Sequence, residues 1–178
     1  MDVRVGLGYD AHPLVRGRPL FLCGIHVPYE MGLYGHSDGD VALHAICDAL
    51  LGAASLGDIG ELFPDDDPQY AGISSSFLLE RTVELIREAG YELIQVDVII
   101  VAGEPKLSPY RNAMREHLAS VLNLPVASVS VKAKTTNGLG FVGRGEGIES
   151  FAVALIRRAR RSASGVQTRR EGVAADER

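Results

Sequence analysis

Residues 94–102, Ile-Gln-Val-Asp-Val-Ile-Ile-Val-Ala, form a mostly β-branched run in the middle of the chain. Branching at Cβ suits a pleated backbone and crowds a helix, so this run marks a central strand. Three further segments read as strands. Residues 3–9 alternate, residues 129–135 lead into a glycine-rich stretch, and residues 150–156 are short and branched enough to favour a buried strand over a helix. Residues 19–28 read as two short strands broken at Gly24, a small ribbon. Between them lie helical patterns. One spans 38–54, with Ser37 or Asp38 as its cap. A second spans 75–89 and stops at Gly90. A third starts at Ser108-Pro109 and places Tyr110, Met114, Leu118 and Val121 on one face. Residues 57–68 read as loop, with turn chemistry from Pro64 to Pro68.

This order predicts an α/β domain of the two-layer α+β kind, a mixed four-stranded sheet with helices covering one face. The other face then needs cover, and self-association is one way to supply it. Residues 1–158 are expected to form a single domain. Residues 159–178 carry many charges and few large apolar groups, and are expected to be a disordered arginine-rich tail.

The chain has 178 residues, 46% apolar and 23% charged, which suits one soluble domain. It contains no apolar run near the roughly 20 residues of a membrane span and no basic-then-apolar leader, so a membrane partner is not expected. Its two cysteines, Cys23 and Cys47, fit reduced thiols in a cytoplasmic protein. Net charge is −5, yet residues 157–178 hold seven arginines and three acids, which leaves −9 on the rest. An acidic body argues against nucleic acid as a partner.

The chemistry concentrates near the N-terminus. Asp10 and His12 are one residue apart on an expected strand, so both side chains point to one face. His36-Ser-Asp-Gly-Asp-Val-Ala-Leu-His44 follows, and His44 belongs to the first helix. One carboxylate and two imidazoles suit zinc with an open fourth position, the arrangement of a catalytic site. A lone strand-end acid or helix histidine would be unremarkable; the grouping is what signals a site. Asp40, His44 and Asp48 share a helix face, so Asp40 and Asp48 are candidates to orient an imidazole from behind. His36 and Ser37 precede the helix, where backbone N–H groups attract anions, so His36 is placed to donate to a phosphate oxygen.

A second cluster, Lys132-Ala-Lys134-Thr135-Thr136-Asn137-Gly-Leu-Gly-Phe141-Val-Gly-Arg144-Gly-Glu146-Gly, is a strand followed by a glycine-rich loop with hydroxyls and cations. It could cradle a phosphate, although it lacks the P-loop order and alone reads equally as a turn. Ala102-Gly-Glu-Pro-Lys106-Leu107 ends the central strand, where α/β sheets place their sites. No Ser-His-Asp order or activated cysteine stands out. A metal beside phosphate-binding loops points to phosphoryl transfer.

From about Val3 to Ile156 the chain resembles the 2-C-methyl-D-erythritol 2,4-cyclodiphosphate synthase family. The resemblance is carried by Gly8-Tyr-Asp-x-His12, His36-Ser-Asp-Gly-Asp-Val-Ala-Leu-His44, Asp48-Ala-Leu-Leu-Gly, Leu56-Gly-Asp-Ile-Gly60, Leu62-Phe-Pro-Asp65 and Leu139-Gly-Phe-x-Gly-Arg-Gly-Glu-Gly147. It implies a homotrimer around the sheets, with active sites between subunits. The implied reaction converts 4-diphosphocytidyl-2-C-methyl-D-erythritol 2-phosphate to the cyclic diphosphate with release of CMP, in non-mevalonate isoprenoid biosynthesis. Asp10, His12 and His44 then match zinc ligands, and His36 and Thr135 match transition-state stabilisers. Asp58, Ile59, Gly60, Phe63, Asp65 and Asp67 match the methylerythritol phosphate end, and Ser37 is a further expected substrate-binding residue. Ala102, Lys106, Leu107, Lys134, Thr136 and Asn137 match the cytidine diphosphate end, reached from a neighbour. Phe141 falls in the same matching loop. Arg144 and Glu146 match the trimer's central cavity, where an isoprenoid diphosphate binds in some members. The family commonly has Glu where this chain has Asn137, a ligand of a second divalent ion, Mg²⁺ or Mn²⁺. Asparagine offers only a neutral oxygen, so weaker affinity for that ion is expected.

Two rivals remain at this level. A zinc phosphoesterase would release free phosphate instead of CMP and a cyclic product. A non-catalytic zinc-stabilised module would have four protein ligands and would unfold on His44→Ala.

Overall fold

The computed structural model describes residues 2–64, 67 and 72–159. The expectations for Asp65 and for residues 160–178 of the tail lie outside them.

Among the described residues seven strands and five α-helices follow one another: β1 Val3–Arg16, β2 Leu20–Leu22, β3 Ile25–Val27, β4 Met31–Leu33, α1 Val41–Ala54, α2 Ile59–Leu62, α3 Ser75–Glu88, β5 Tyr91–Val101, α4 Arg111–Leu122, β6 Val129–Lys134, α5 Gly140–Gly143 and β7 Gly147–Arg158. The main sheet is mixed, in the order β4-β1-β7-β5-β6, with β5 and β6 parallel and the other pairs antiparallel. It has five strands, one more than the sequence suggests. The extra one, β4, is three residues long, too short to carry an alternation pattern; its pairing with Leu14–Arg16 defines it. The same pairing extends β1 well past the expected end at residue 9, so Asp10 and His12 sit within the strand.

β2 and β3 form the expected ribbon, turned by Cys23 and Gly24, both at positive φ. Two consecutive left-handed residues match the tight hairpin turn whose twist suits its strands.

The two faces of β1 differ sharply. Val3, Val5, Leu7 and Tyr9 point to the open face and are exposed, beside Phe151 and Val153 of β7. Gly6, Gly8, Asp10 and His12 point to the other face, which α1 covers. A Cβ on Gly8 would lie 1.9 Å from the Ala45 carbonyl oxygen, and one on Gly6 1.9 Å from that of Ala49. Helix α1 therefore rides on the strand backbone itself, its Ala45, Ala49 and Ala53 allowing the approach. It is buried on almost every side, between the sheet, α3 and the ribbon. Leu43, Ile46, Leu50, Leu79, Ile86, Ile100 and Leu118 fill the core around it.

The start of α1 corrects the sequence reading. The cap is Asp40, not Ser37 or Asp38: its side chain accepts from the N–H groups of Ala42 and Leu43. Gly39, at φ +75, breaks the chain just before it. The third helix also starts later than Ser108-Pro109, at Arg111 after a turn closed by Tyr110 N–H to the Leu107 carbonyl.

A candidate metal centre

Three donor atoms converge where the end of β1's helix-facing row meets α1. Asp10 Oδ2 lies 2.9 Å from His12 Nε2 and 2.9 Å from His44 Nδ1, and the two nitrogens are 3.1 Å apart. Tetrahedral zinc, with bonds of about 2.0–2.1 Å, sets such ligand atoms about 3.3 Å apart. The three edges are within a few tenths of an ångström of that spacing. Among the described residues, this is the one grouping of three or more His, Cys, Asp or Glu side chains close enough to hold an ion.

The hydrogen bonds behind the cluster decide where the lone pairs point. His12 Nδ1 is 2.7 Å from the Tyr34 carbonyl oxygen, which can only accept. The proton therefore sits on Nδ1, leaving the Nε2 lone pair in the cluster. His44 Nε2 is 2.9 Å from Ser75 Oγ and 3.1 Å from Ser37 Oγ. Ser75 Oγ in turn donates to Asp38. The Asp10 carboxylate is aimed by the Ala11 N–H, 2.8 Å from Oδ1. Burial alone would raise the Asp10 carboxyl, but His12 and His44, when protonated toward it in the absence of a metal, outweigh burial and hold it well below the usual carboxylate range. Two imidazole lone pairs and a carboxylate facing one another at about 3 Å are mutually repulsive unless a cation or proton lies between them. The donor set thus fits a divalent metal.

The cluster forms part of the wall of a pocket of about 340 Å³, also lined by His36, Ser37, Asp48, Ile59, Gly60 and Phe63. That volume is at the small end for ligand pockets, about 300–1,000 Å³. Asp58 caps α2 through the Glu61 N–H, and Asp67 N–H bonds the Pro64 carbonyl. His36 is exposed at the rim, on a loop braced by Arg18, which donates to the carbonyls of Gly35 and Ser37.

The expected roles of Asp40 and Asp48 give way. Asp40 is fully buried, and its oxygens accept from Cys23, Gly24, Ala42 and Leu43 N–H groups rather than from an imidazole. Burial pushes its carboxyl upward, and those donors pull the other way. It joins the ribbon turn to α1 and fills the helix N-terminus, so that end offers no free site to a phosphate. Asp48 accepts from Ile59 N–H at 2.8 Å, tying α2 to α1; burial raises its carboxyl. The groups behind His44 are instead Ser75 and Asp38, which sequence reasoning missed. One signal was available: Ser75 lies on the apolar stripe of α3 with Leu78, Leu79 and Thr82, and a polar residue there must find a partner.

The second set of candidate residues lies elsewhere on the same chain. Ala102 N–H bonds the Lys134 carbonyl at 3.0 Å, and Gly103 packs on the Val142 carbonyl, so the 102–107 and 134–144 loops are neighbours. Lys106, Lys134, Thr135 and Asn137 are exposed there, Thr136 Oγ1 closes the turn onto the Leu139 carbonyl, and Leu107 belongs to the core. Asn137 is at φ +54, and Phe141 is partly exposed. Arg144 is paired with Glu146 through two contacts of 2.7 and 2.9 Å. Lys132 pairs with Asp97 on the open sheet face. Across the sheet Asp10 is level with Ser150, Ile100 and Ala133. The two sets therefore share one end of the sheet but stand three strand spacings apart, about 14 Å. None of the second set lines the metal pocket.

A family model described as the YgbB family matches residues 3–157. A protein of Syntrophobacter fumaroxidans named 2-C-methyl-D-erythritol 2,4-cyclodiphosphate synthase is 56% identical over 155 residues, 87% of this chain and 98% of that protein. A solved structure described as the bifunctional IspDF from Campylobacter jejuni superposes with a TM-score of 0.85 at 42% identity, over 88% of this chain and 42% of that one. Another, described as 2C-methyl-D-erythritol-2,4-cyclodiphosphate synthase in its CDP-bound form, gives a TM-score of 0.80 at 40% identity, over 86% of this chain and 99% of that one.

Proposed function

The chain belongs to the YgbB family, and from that premise we propose that it is a cyclising phosphorus–oxygen lyase. It converts 4-diphosphocytidyl-2-C-methyl-D-erythritol 2-phosphate to 2-C-methyl-D-erythritol 2,4-cyclodiphosphate and CMP, a step of non-mevalonate isoprenoid biosynthesis. The observation that carries this reading is the convergence of Asp10, His12 and His44 on one point of a pocket wall, in a chain whose relatives bear that enzyme's name.

The 2-phosphate supplies the attacking oxygen and the β-phosphorus accepts it. The bond from that phosphorus to the bridging α–β oxygen breaks, and the electron pair leaves with CMP. The nucleophile is already an anion, so no protein base is needed. The barrier lies in bringing two anions together and orienting them, and tethering within one substrate lowers it. Asp10, His12 and His44 would hold Zn²⁺, which when bound supplies positive charge to a phosphate oxygen. His36, at the rim, donates to the same group. Ser37, Asp58, Ile59, Gly60, Phe63 and Asp67 surround the methylerythritol phosphate end. Ala102, Lys106, Leu107, Lys134, Thr136 and Asn137 receive the cytidine diphosphate end, and Thr135 stabilises the transition state. Asn137 would help hold a second divalent ion, Mg²⁺ or Mn²⁺, which when bound would supply further positive charge to the diphosphate.

The separation of the two residue sets within one chain supports a site completed by a neighbouring copy. The open face with Val5, Leu7, Tyr9, Phe151 and Val153 supports it independently, since monomers seldom leave a contiguous apolar face that broad uncovered. A homotrimer packed through these faces satisfies both. Arg144 and Glu146 would then line its central cavity, where an isoprenoid diphosphate could bind. The reading places the reaction in the cytoplasm, with no nucleic-acid or membrane partner. No helix among the described residues is long and apolar enough to cross a membrane.

A non-catalytic zinc module is disfavoured, because the grouping offers three protein ligands among the described residues where a closed structural site uses four. The test is incubation of the zinc-loaded protein with the cytidylylated substrate, following CMP and the cyclic product by phosphorus NMR. Equimolar CMP and cyclic diphosphate, abolished by chelator, is expected. Free phosphate in place of the cyclic product would convert the reading to a phosphoesterase.

A further inference from the structure

His36 is exposed, and among the described residues its imidazole has no hydrogen-bond partner. Its aim therefore comes from the backbone. A side chain leaves the main chain in a direction set by the two planar peptides that flank it. Both peptides at His36 are held by their carbonyls. Arg18 Nη1 donates to the Gly35 carbonyl at 3.0 Å, which fixes the peptide entering His36. The Gly72 N–H donates to the His36 carbonyl at 2.8 Å, which fixes the peptide leaving it. Arg18 Nη2 then donates to the Ser37 carbonyl at 2.6 Å, and Asp38 N–H, on that same peptide, donates to the Ile73 carbonyl at 3.2 Å. One guanidinium thus grips the segment on both sides of His36, as a rigid fork with two prongs.

The base of the fork is itself firm. Arg18 lies in the turn between β1 and β2, and that turn rests on the backbone of β4. A Cβ on Gly32 would come within 2.2 Å of the Pro19 carbonyl oxygen and 2.5 Å of that of Arg18. The gripped segment in turn lies against the candidate metal centre, since a Cβ on Gly35 would be 3.2 Å from His12 Cε1. Gly35, His36 and Ser37 line the metal pocket and Arg18 does not, so the guanidinium works from behind the wall.

We propose that Arg18 is a positioning residue that acts through His36, setting the peptide planes that aim the imidazole at a phosphate beside the candidate metal centre. The proposal deepens the reading of His36 as a donor in the cyclisation and rests on it. What matters is the two-pronged geometry and not the positive charge, so lysine is a poor substitute: one ammonium cannot fill both prongs.

A displacement of about 1 Å can cost about 100-fold in rate. Arg18→Ala should lower kcat for CMP release at least about 10-fold and Arg18→Lys at least about threefold, with zinc affinity in both within about twofold of wild type, because Arg18 bonds none of Asp10, His12 and His44. Guanidinium chloride at a sub-denaturing concentration should restore part of the Arg18→Ala activity, and equal sodium chloride should not. A double-mutant cycle with His36→Ala separates positioning from a role in the fold or a direct pull on the substrate. In a protein already lacking the imidazole, losing Arg18 should cost less than about threefold more. Costs that multiply in full overturn the proposal.

The second readout needs no reaction. Backbone nitrogen-15 order parameters of Gly35, His36 and Ser37 should be near about 0.85 in the wild-type protein and fall toward about 0.6 in Arg18→Ala. Unchanged order parameters in folded Arg18→Ala also overturn the proposal. Should the alanine protein not fold, Arg18→Lys carries both measurements and the same outcomes decide. If the wild-type protein releases no CMP while the order parameters fall as expected, the proposed reaction fails and the hold of Arg18 on the segment stands.

Discussion

Gly8→Ala is a one-carbon change that should disable the candidate metal centre without touching Asp10, His12 or His44. The added Cβ would sit 1.9 Å from the Ala45 carbonyl oxygen and 2.7 Å from the Ala49 N–H nitrogen. Both are backbone atoms of α1, so no side chain can swing aside. Real Cβ contacts fall at 3.0 Å or beyond, so strand and helix must part locally by about 1 Å. His44 precedes Ala45, and Asp10 lies two residues beyond Gly8 on the same strand face. A parting of 1 Å would take the 2.9 Å Asp10–His44 approach to about 4 Å, past the roughly 3.3 Å that two zinc ligands can span. Overpacking of this kind costs about 1–3 kcal/mol, and backbone displacement puts Gly8 at the upper end. For a chain of this size that is a fall in Tm of about 2–12 °C. Gly52→Ala is the control: it lies on the same helix, exposed, with nothing within 4 Å of the new Cβ. It should be neutral or stabilising by up to about 1 kcal/mol, with normal zinc binding. Thermal unfolding and zinc competition on the pair are the assay. Equal Tm and equal zinc affinity for Gly8→Ala and wild type would refute the claim that strand and helix touch through their backbones and that this contact sets the ligand spacing.

Leu7→Glu, on the open sheet face where Leu7 is 69% exposed, should reduce the particle to a monomer in analytical ultracentrifugation. It should lower CMP release more than about 10-fold and leave zinc affinity within about twofold; a trimeric, active variant would contradict the shared-site reading. Asn137→Glu should tighten apparent Mg²⁺ or Mn²⁺ binding in the zinc-replete enzyme, at a local cost of about 1 kcal/mol because φ there is +54. A metal titration that saturates as tightly for wild type would speak against it. Cys23 and Cys47 are both fully buried, and burial pushes the Cys47 thiol up to about 12 and the Cys23 thiol well above its ordinary value. Neither should react with a thiol reagent at neutral pH until the protein unfolds; rapid labelling of the native protein would show that the ribbon and α1 open readily.

The sheet was readable where side chains carry period and branching: β1, β5, β6 and β7 all announce themselves. Strand β4 does not, because three residues hold no period and only a partner distant in sequence makes them a strand. The start of α1 was misread because Ser37, Asp38 and Asp40 are all competent caps, and the choice falls to Gly39, whose conformation is not written in its neighbours. The candidate metal-binding group was legible because the two-residue spacing of Asp10 and His12 on a strand leaves little geometric freedom. That the Lys134–Asn137 loop stands apart from them was not, since strand order is a property of the assembled sheet. Ser75 was not singled out in the helix over 75–89, though its place on the α3 stripe with Leu78, Leu79 and Thr82 marks it as buried.

Asp40 has a consequence for the order of events. Because an internal carboxylate already saturates the start of α1, a bystander such as sulfate gains nothing by settling there. Affinity for polyanions at this pocket should then rise only after the divalent cation has loaded. A phosphate group should therefore enter this pocket after the metal, and the metal-free pocket should show no measurable affinity for sulfate.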